Sequence, residues 1–265
     1  MSVQGNIKNI TLTQLRAMKA GEEKIACLTA YDASFAALLD QAGVEIILVG
    51  DSLGMVVQGQ DSTVSVTMDD MIYHSQCVSS AVQHAFVMAD MPFMSYTSVE
   101  LALDNATDLI QLGGVQMVKL EASARQVSIV QELSECGIPI CAHLGLRPQY
   151  IHKLGGYSMQ GNDAASAKEL FDSAENLQAA GADMLLLECV PNGLADKITK
   201  NSSIPVIGIG AGPGCDGQIL VLHDVLGVTL GVTPKFAKNF LVDAKDIPTA
   251  ITSYVQDVKN LRFPD

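Results

Sequence analysis

The chain is short of positive charge. Of its 265 residues, 16 are Lys or Arg against 29 Asp or Glu, a formal net charge of −13. Nucleic acids and anionic membrane surfaces are both gripped through a basic footprint, so this deficit argues against either as a partner. Long apolar runs are missing too. Apolar residues make up 48% of the chain, but no window approaches the roughly 18 consecutive apolar residues of a membrane span. The opening MSVQGNIKNI has no apolar core of signal-peptide length. The cysteines, at 27, 77, 136, 141, 189 and 215, form no CxxC pair, and the step from Cys136 to Cys141 is a poor metal spacing. Buried free thiols in a reducing cytoplasm are the expectation. No linker or low-complexity tract interrupts the sequence. One domain over residues 1–265 is expected, a size at which barrels of alternating strands and helices commonly form a single unit.

What the chain does have is a rhythm. Short apolar runs recur at KIACLTAYD (24–32), VEIILVGDS (44–52), AFVMADMPF (85–93), VQMVKLEAS (115–123), IPICAHLGL (138–146), ADMLLLECV (182–190) and IPVIGIGAG (204–212). Their length and continuous apolarity suit strands buried on both faces. A weaker eighth run is PKFAKNF (234–240). Between them lie amphipathic stretches, such as Ser98 to Leu112 and Ala165 to Ala180, that stop at glycine. Helix, glycine and apolar run in repetition is the punctuation of a wound parallel sheet. The count points to a (β/α)8 TIM barrel, with an open doubly wound sheet as runner-up. Residues 11–20 read as an extra N-terminal helix plugging one end, and 244–261 as a final helix. GIGAGPG (208–214) fails the G-x-G-x-x-G dinucleotide fingerprint because Pro213 takes the third glycine position. It reads as a loop making a close backbone approach, with an anion or substrate as candidate neighbour.

In such barrels the chemistry sits at the C-terminal strand ends. Those ends carry Tyr31-Asp32, Asp51-Ser52, Asp90, Lys119 with Glu121, His143, and Glu188. Any one of these residues alone is readily a cap, and Asp32 reads as the cap of the helix beginning at Ala33. Their coincidence at one end of six successive strands points to a site. Asp51, Asp90 and Glu121 are hard oxygen donors that suit Mg²⁺ better than zinc; the plainer alternative is that each pairs with a lysine or caps a helix. Lys119, inside an apolar run, needs an anionic partner, either a neighbouring carboxylate or a substrate. Lys119 and Glu121 are two apart and so share a strand face. His143 fits a core histidine as well as a substrate contact. Glu188 ends an apolar run where desolvation raises a carboxyl pKa and suits it to proton transfer.

These segments resemble the ketopantoate hydroxymethyltransferase family. The resemblance runs from about residue 7 to 260 through VGDSLGM, GQDSTVSVTMDDMIYH (59–74), ADMPFMSY (89–96), MVKLE (117–121), HLGLRPQ (143–149), GGYSMQG (155–161), LLECVP (186–191), the segment 205–218 and PKFAKNF. It implies a barrel of the phosphoenolpyruvate/pyruvate type. The implied reaction takes a hydroxymethyl group from 5,10-methylenetetrahydrofolate to 3-methyl-2-oxobutanoate, giving 2-dehydropantoate through a Mg²⁺-stabilised enolate, in pantothenate biosynthesis. It further implies that Asp51, Asp90 and Glu121 form the Mg²⁺ site, that Ser52 and Lys119 contact the keto acid, that Glu188 accepts the proton, and that the enzyme is a homodecamer. Asp51, Ser52, Asp90, Lys119 and His143 are accordingly the candidate substrate-binding residues. One departure is Asn162, where the family pattern commonly has a basic residue; it leaves the loop's part in folate contact or closure open. Two other readings compete: a Mg²⁺-dependent lyase on the same barrel, which lacks its usual KKCGH-like loop here, and a non-catalytic barrel.

Overall fold

The computed structural model describes residues 9–231 and 233–264. The stretch MSVQGNIK, most of the segment read above for want of a signal-like core, lies outside them, as do Val232 and Asp265. Eight parallel strands close into a barrel in sequence order: β1 (Ile25–Thr29), β2 (Ile46–Val49), β3 (Phe86–Asp90), β4 (Met117–Glu121), β5 (Ile140–Gly145), β6 (Met184–Glu188), β7 (Val206–Ile209) and β8 (Gly217–Leu220). The helices are α1 (Leu12–Ala20), α2 (Ala33–Gln41), α3 (Leu53–Val56), α4 (Met68–Ser79), α5 (Val99–Gln111), α6 (Val127–Glu135), α7 (Ile151–Leu154), α8 (Ala164–Ala179), α9 (Asn192–Asn201), α10 (Leu222–Val225) and α11 (Ile247–Lys259). The closed order excludes the open doubly wound sheet. Among the described residues no helix is long and apolar enough to cross a membrane.

Each of the seven strong apolar runs contains a strand. The eighth expectation was misplaced. Residues 234–240 form no strand, and the barrel is closed by Gly217–Leu220, which pairs with β1 and β7. The glycine-rich loop 210–216 joins β7 to β8, and its close approaches are to the protein's own side chains. A Cβ at Gly210 would strike Phe236, and one at Gly212 would strike Asn192. The crowding is therefore explained without an anion.

Strand alternation sorts the core into two layers. Outward residues such as Leu28, Ile47, Val87, Val118, Ala142 and Leu187 pack against the helices. Inward residues from the lower half of each strand, including Ile25, Ile46, Phe86, Met117, Cys141 and Met184, form a separate cluster in the lumen. The N-terminal helix joins this inner cluster through Leu15 and Met18. A capping box between Thr11 and Gln14 starts α1, and ion pairs from Arg16 to Asp183 and Lys19 to Asp216, each at 2.6 Å, pin it to the entrances of β6 and β8. It plugs the barrel, as expected. At the other seam, the Tyr254 hydroxyl of α11 reaches Cys27 O (2.8 Å) and Gln218 O (2.9 Å), bridging β1 and β8. Tyr254→Phe removes that donor from a buried site and is expected to lower stability by about 1–2 kcal/mol. Urea unfolding measures this, and an unmoved midpoint would show that the bridge contributes nothing.

Six free thiols are present; Cys27, Cys141 and Cys215 are buried, while Cys136 at the end of α6 is exposed, against the expectation of general burial.

Candidate active site

The inward parity that fills the lower lumen with apolar groups continues upward into polar ones. Asp90 follows Met88, Lys119 and Glu121 follow Met117, His143 follows Cys141, and Glu188 follows Leu186, each two residues further along its strand or two further again. Adjacent strands set these residues side by side: Asp90 pairs in register with Lys119, and Glu121 with His143. Asp51 and Ser52 enter from the turn after β2. Gly50 leaves room in that turn for Ser52, because a Cβ there would sit 2.8 Å from Ser52 Oγ and displace it. Asp51 and Lys119 are each 6% exposed, Asp90 3%, and Glu121 and His143 2%.

These groups form one chain of contacts. Lys119 Nζ lies 2.5 Å from Asp90 Oδ1 and 3.4 Å from His143 Nδ1. His143 Nε2 in turn lies 3.2 Å from Glu188 Oε2. An ammonium has no acceptor, so Nδ1 is the lone-pair side of the imidazole and Nε2 carries the proton; Nε2 approaches Glu188 as a close contact and makes no aligned hydrogen bond. The Asp51 backbone N–H donates to Asp90 Oδ2 at 3.0 Å. The Asp51 side chain caps nothing; its Oδ2 accepts from Gln149 Nε2 at 2.8 Å. Asp32 is a cap, accepting from the N–H groups of Ser34 and Phe35.

The charges are unbalanced for a buried chamber. Burial opposes the Lys119 ammonium, but Asp90 and Asp51 outweigh it and raise its pKa. Burial, together with the Lys119 charge, holds His143 well below the usual imidazole range, so it is neutral. Asp51, Asp90, Glu121 and Glu188 thus share one cation. Burial and then the neighbouring Asp90 push Asp51 up. Burial and then Asp51 push Glu121 up. Burial raises Glu188 to about 7, with Lys119 opposing.

Asp90 does pair with a lysine, Lys119, whereas the Asp51 and Glu121 side chains accept from Gln149. Among the described residues, the acidic, Cys and His side chains do not close into a ready-made cluster of three ligands. The chemistry of the set nonetheless fits a hard cation. Glu121 Oε2 is buried with no hydrogen-bond partner, and Asp51 sits against a second carboxylate. Mg²⁺ needs only one or two carboxylates beside water and substrate.

Three participants were given no role in the sequence reading, although Tyr31 was placed there at a strand end. Tyr31 Oη lies 2.9 Å from Ser52 Oγ and fixes that hydroxyl. Gln149 touches Asp51 and also donates its backbone N–H to Glu121 Oε1 at 2.9 Å. Tyr96 donates to Gln149 Oε1 at 2.5 Å. Tyr31 ends a predicted strand, a usable signal; Gln149 and Tyr96 lie in loops, where strand parity gives no guidance. The loop 155–161 borders the mouth: Tyr157, half exposed, reaches Met55 Sδ at 3.6 Å. Its phenol pKa is raised by partial burial and then by Glu188, Asp51 and Glu121. Asn162 closes this loop locally onto Met159 O. A separate cavity of about 390 Å³ opens behind Gln149 and Tyr96, between the starts of α5 and α6, and is not lined by the charged chain.

Solved structures share this architecture at low identity. Phosphoenolpyruvate phosphomutase from Streptomyces platensis subsp. rosaceus aligns with a TM-score of 0.62 at 16% identity, over 82% of each chain. A 2,3-dimethylmalate lyase of the PEP mutase/isocitrate lyase superfamily aligns at 0.58 and 18%, over 79% of this chain and 77% of its own. They establish the fold alone. Sequence relatives are much nearer. The 3-methyl-2-oxobutanoate hydroxymethyltransferase of Alkalilimnicola ehrlichii is 57% identical over 256 residues, 97% of this chain and 92% of its own. That of Nitrosococcus oceani is 57% identical over 255 residues, 96% of this chain and 97% of its own. The family model described as ketopantoate hydroxymethyltransferase matches residues 9–265. On identity and coverage of this order, the chain belongs to the ketopantoate hydroxymethyltransferase family.

Proposed function

We propose that the chain is a 3-methyl-2-oxobutanoate hydroxymethyltransferase of pantothenate biosynthesis. It takes the one-carbon unit of 5,10-methylenetetrahydrofolate, with water, to 3-methyl-2-oxobutanoate, and yields 2-dehydropantoate and tetrahydrofolate. The observation that carries the reading is the row Asp90, Lys119 and His143, all buried, and partly buried Glu188, set beside Asp51 and Glu121 in a chain 57% identical to enzymes of that name. The lyase and non-catalytic readings have no comparable support.

Each residue then has a task. Asp51, Asp90 and Glu121 would hold Mg²⁺, which when bound draws electron density from the carboxylate and keto oxygens and makes the C3 proton more acidic. Glu188, with its pKa near 7, takes that proton. Lys119 keeps a positive charge next to the chamber and opposes the negative charge that grows on the keto oxygen. Ser52, oriented by Tyr31, and His143, held between Lys119 and Glu188, orient the keto acid. The deprotonated C3 bonds to the methylene carbon as one of its two C–N bonds breaks, and the proton held by Glu188 goes to the freed nitrogen. Water then replaces the second nitrogen, its oxygen becoming the hydroxyl of the product and its proton completing tetrahydrofolate. One barrel serves as the whole catalytic unit. The homodecamer and a cytoplasmic setting belong to the same proposal, the latter supported by the six free thiols.

The direct test is tetrahydrofolate release on mixing enzyme, methylenetetrahydrofolate and 3-methyl-2-oxobutanoate. Release is expected to need the keto acid, to stop with EDTA and to return with excess Mg²⁺. An enzyme that releases no tetrahydrofolate would overturn the function, and one indifferent to EDTA would overturn the metal assignment. Light scattering on the same preparation tests the homodecamer.

A further inference from the structure

Gln149 lies in the 3-10 turn Pro148–Tyr150 after β5 and is 4% exposed. A carboxamide buried so deeply is costly unless its polar atoms are bonded, and here they are. Nε2 donates both hydrogens, to Asp51 Oδ2 at 2.8 Å and to Met91 O at 3.0 Å. Oε1 accepts from the Tyr96 hydroxyl at 2.5 Å. Met91 O can only accept, and so can an ionised Asp51, so the amide has one admissible orientation. The backbone N–H of the same residue donates to Glu121 Oε1 at 2.9 Å. One residue thereby joins the loops after β2, β3 and β5 to the last residue of β4.

From these contacts we infer that Gln149 is a positioning residue: it holds Asp51 and Glu121 in fixed relation as one donor pair, and Tyr96 holds Gln149. Each bond occupies one carboxylate oxygen and leaves the other for a ligand; Glu121 Oε2 stays buried with no hydrogen-bond partner. A residue serving only to satisfy the backbone would not spend two of its donors on neighbouring carboxylates. Tyr96 is itself buried, and its loop is braced from α5 by Asn105, whose Nδ2 donates to Ser95 O at 2.6 Å. The brace therefore extends from the helix layer to the carboxylates. This inference rests on the proposed metal-dependent reaction.

Two measurements on the full-length protein test it: binding of Mg²⁺ alone by titration calorimetry, and Mg²⁺-dependent exchange of the C3 proton of 3-methyl-2-oxobutanoate in deuterated water without folate. For Gln149→Leu, Mg²⁺ affinity is expected to fall about 10–100-fold. Half-saturating Mg²⁺ for exchange should rise by a similar factor, with most of the rate regained at saturating Mg²⁺. A purely structural role would lower the melting temperature without moving that Mg²⁺ midpoint. Tyr96→Phe keeps the volume and loosens Gln149, so a smaller shift in the same direction is expected. Wild-type Mg²⁺ dependence in a folded Gln149→Leu protein overturns the inference. If that variant does not fold, wild-type Mg²⁺ dependence in Tyr96→Phe overturns it. A wild-type protein that neither binds Mg²⁺ nor exchanges the proton would defeat the underlying reaction, and the inference with it.

Discussion

Glu188→Gln enzyme is expected to bind 3-methyl-2-oxobutanoate nearly as well as the parent and to lose exchange of its C3 proton. The carboxamide has the shape of the carboxyl group and can still meet His143 Nε2, which lies 3.2 Å from Glu188 Oε2. What it lacks is basicity, and removal of a positioned base costs about 10²–10⁴-fold. Exchange followed by NMR in deuterated water isolates this step from folate chemistry. The pH profile sharpens the test. Burial raises Glu188 to about 7, and only its ionised form takes a proton. Exchange in the parent should therefore climb with pH up to about 7 and then level off, whereas the Gln variant should be slow at every pH. Exchange at the parent rate in the variant would remove Glu188 as the base, and attention would move to His143.

The second large effect concerns Asp51→Asn, where two observables should move apart. The Asn carbonyl can still accept from Gln149 Nε2, now at 2.8 Å from Asp51 Oδ2, so the local packing survives. The change also removes a buried carboxylate whose pKa is raised by burial and by Asp90. The metal-free protein should therefore melt no lower than the parent, and the relief of like charge favours a higher value. Mg²⁺ binding should behave in the opposite way, because a hard cation depends on carboxylate donors. A loss of about 100-fold or more is expected by calorimetry, with exchange activity falling alongside. A parent-like affinity would take Asp51 out of the metal site.

Much of this was legible in the sequence because both faces of each barrel strand are buried. Seven apolar runs marked seven strands, and counting in twos from Met117 or Cys141 reached Lys119, Glu121 and His143 on the correct face. The eighth strand escaped because GQIL is short and half polar. Gly217 is required there since a Cβ would lie 2.4 Å from Ile25 O, and Gln218 spends its side chain on Gly212 O. PKFAKNF read as a weaker eighth run, yet its rings serve tertiary packing: Phe236 covers Gly210, and Phe240 meets Tyr254 and Phe263 edge-on. Lys119 was expected to need an anion, and Asp90 supplies it. Gln149 could not have been placed, because its partners depend on the path of three loops, which no local period encodes.

The helix that seals the lower end has a kinetic consequence. With Leu15 and Met18 seated among the inner residues of the strands, the lower lumen is filled, and the charged chain faces the end bordered by the loop that carries Tyr157. In the proposed reaction a keto acid beside Asp90 and Lys119 would lie deeper than the larger folate. On the proposed reaction the keto acid is then expected to bind before the folate, and an ordered product-inhibition pattern checks this. The plug thus does more than complete the core. Together with the strand residues packed above it, it leaves both proposed reactants the same end of the barrel for entry and exit.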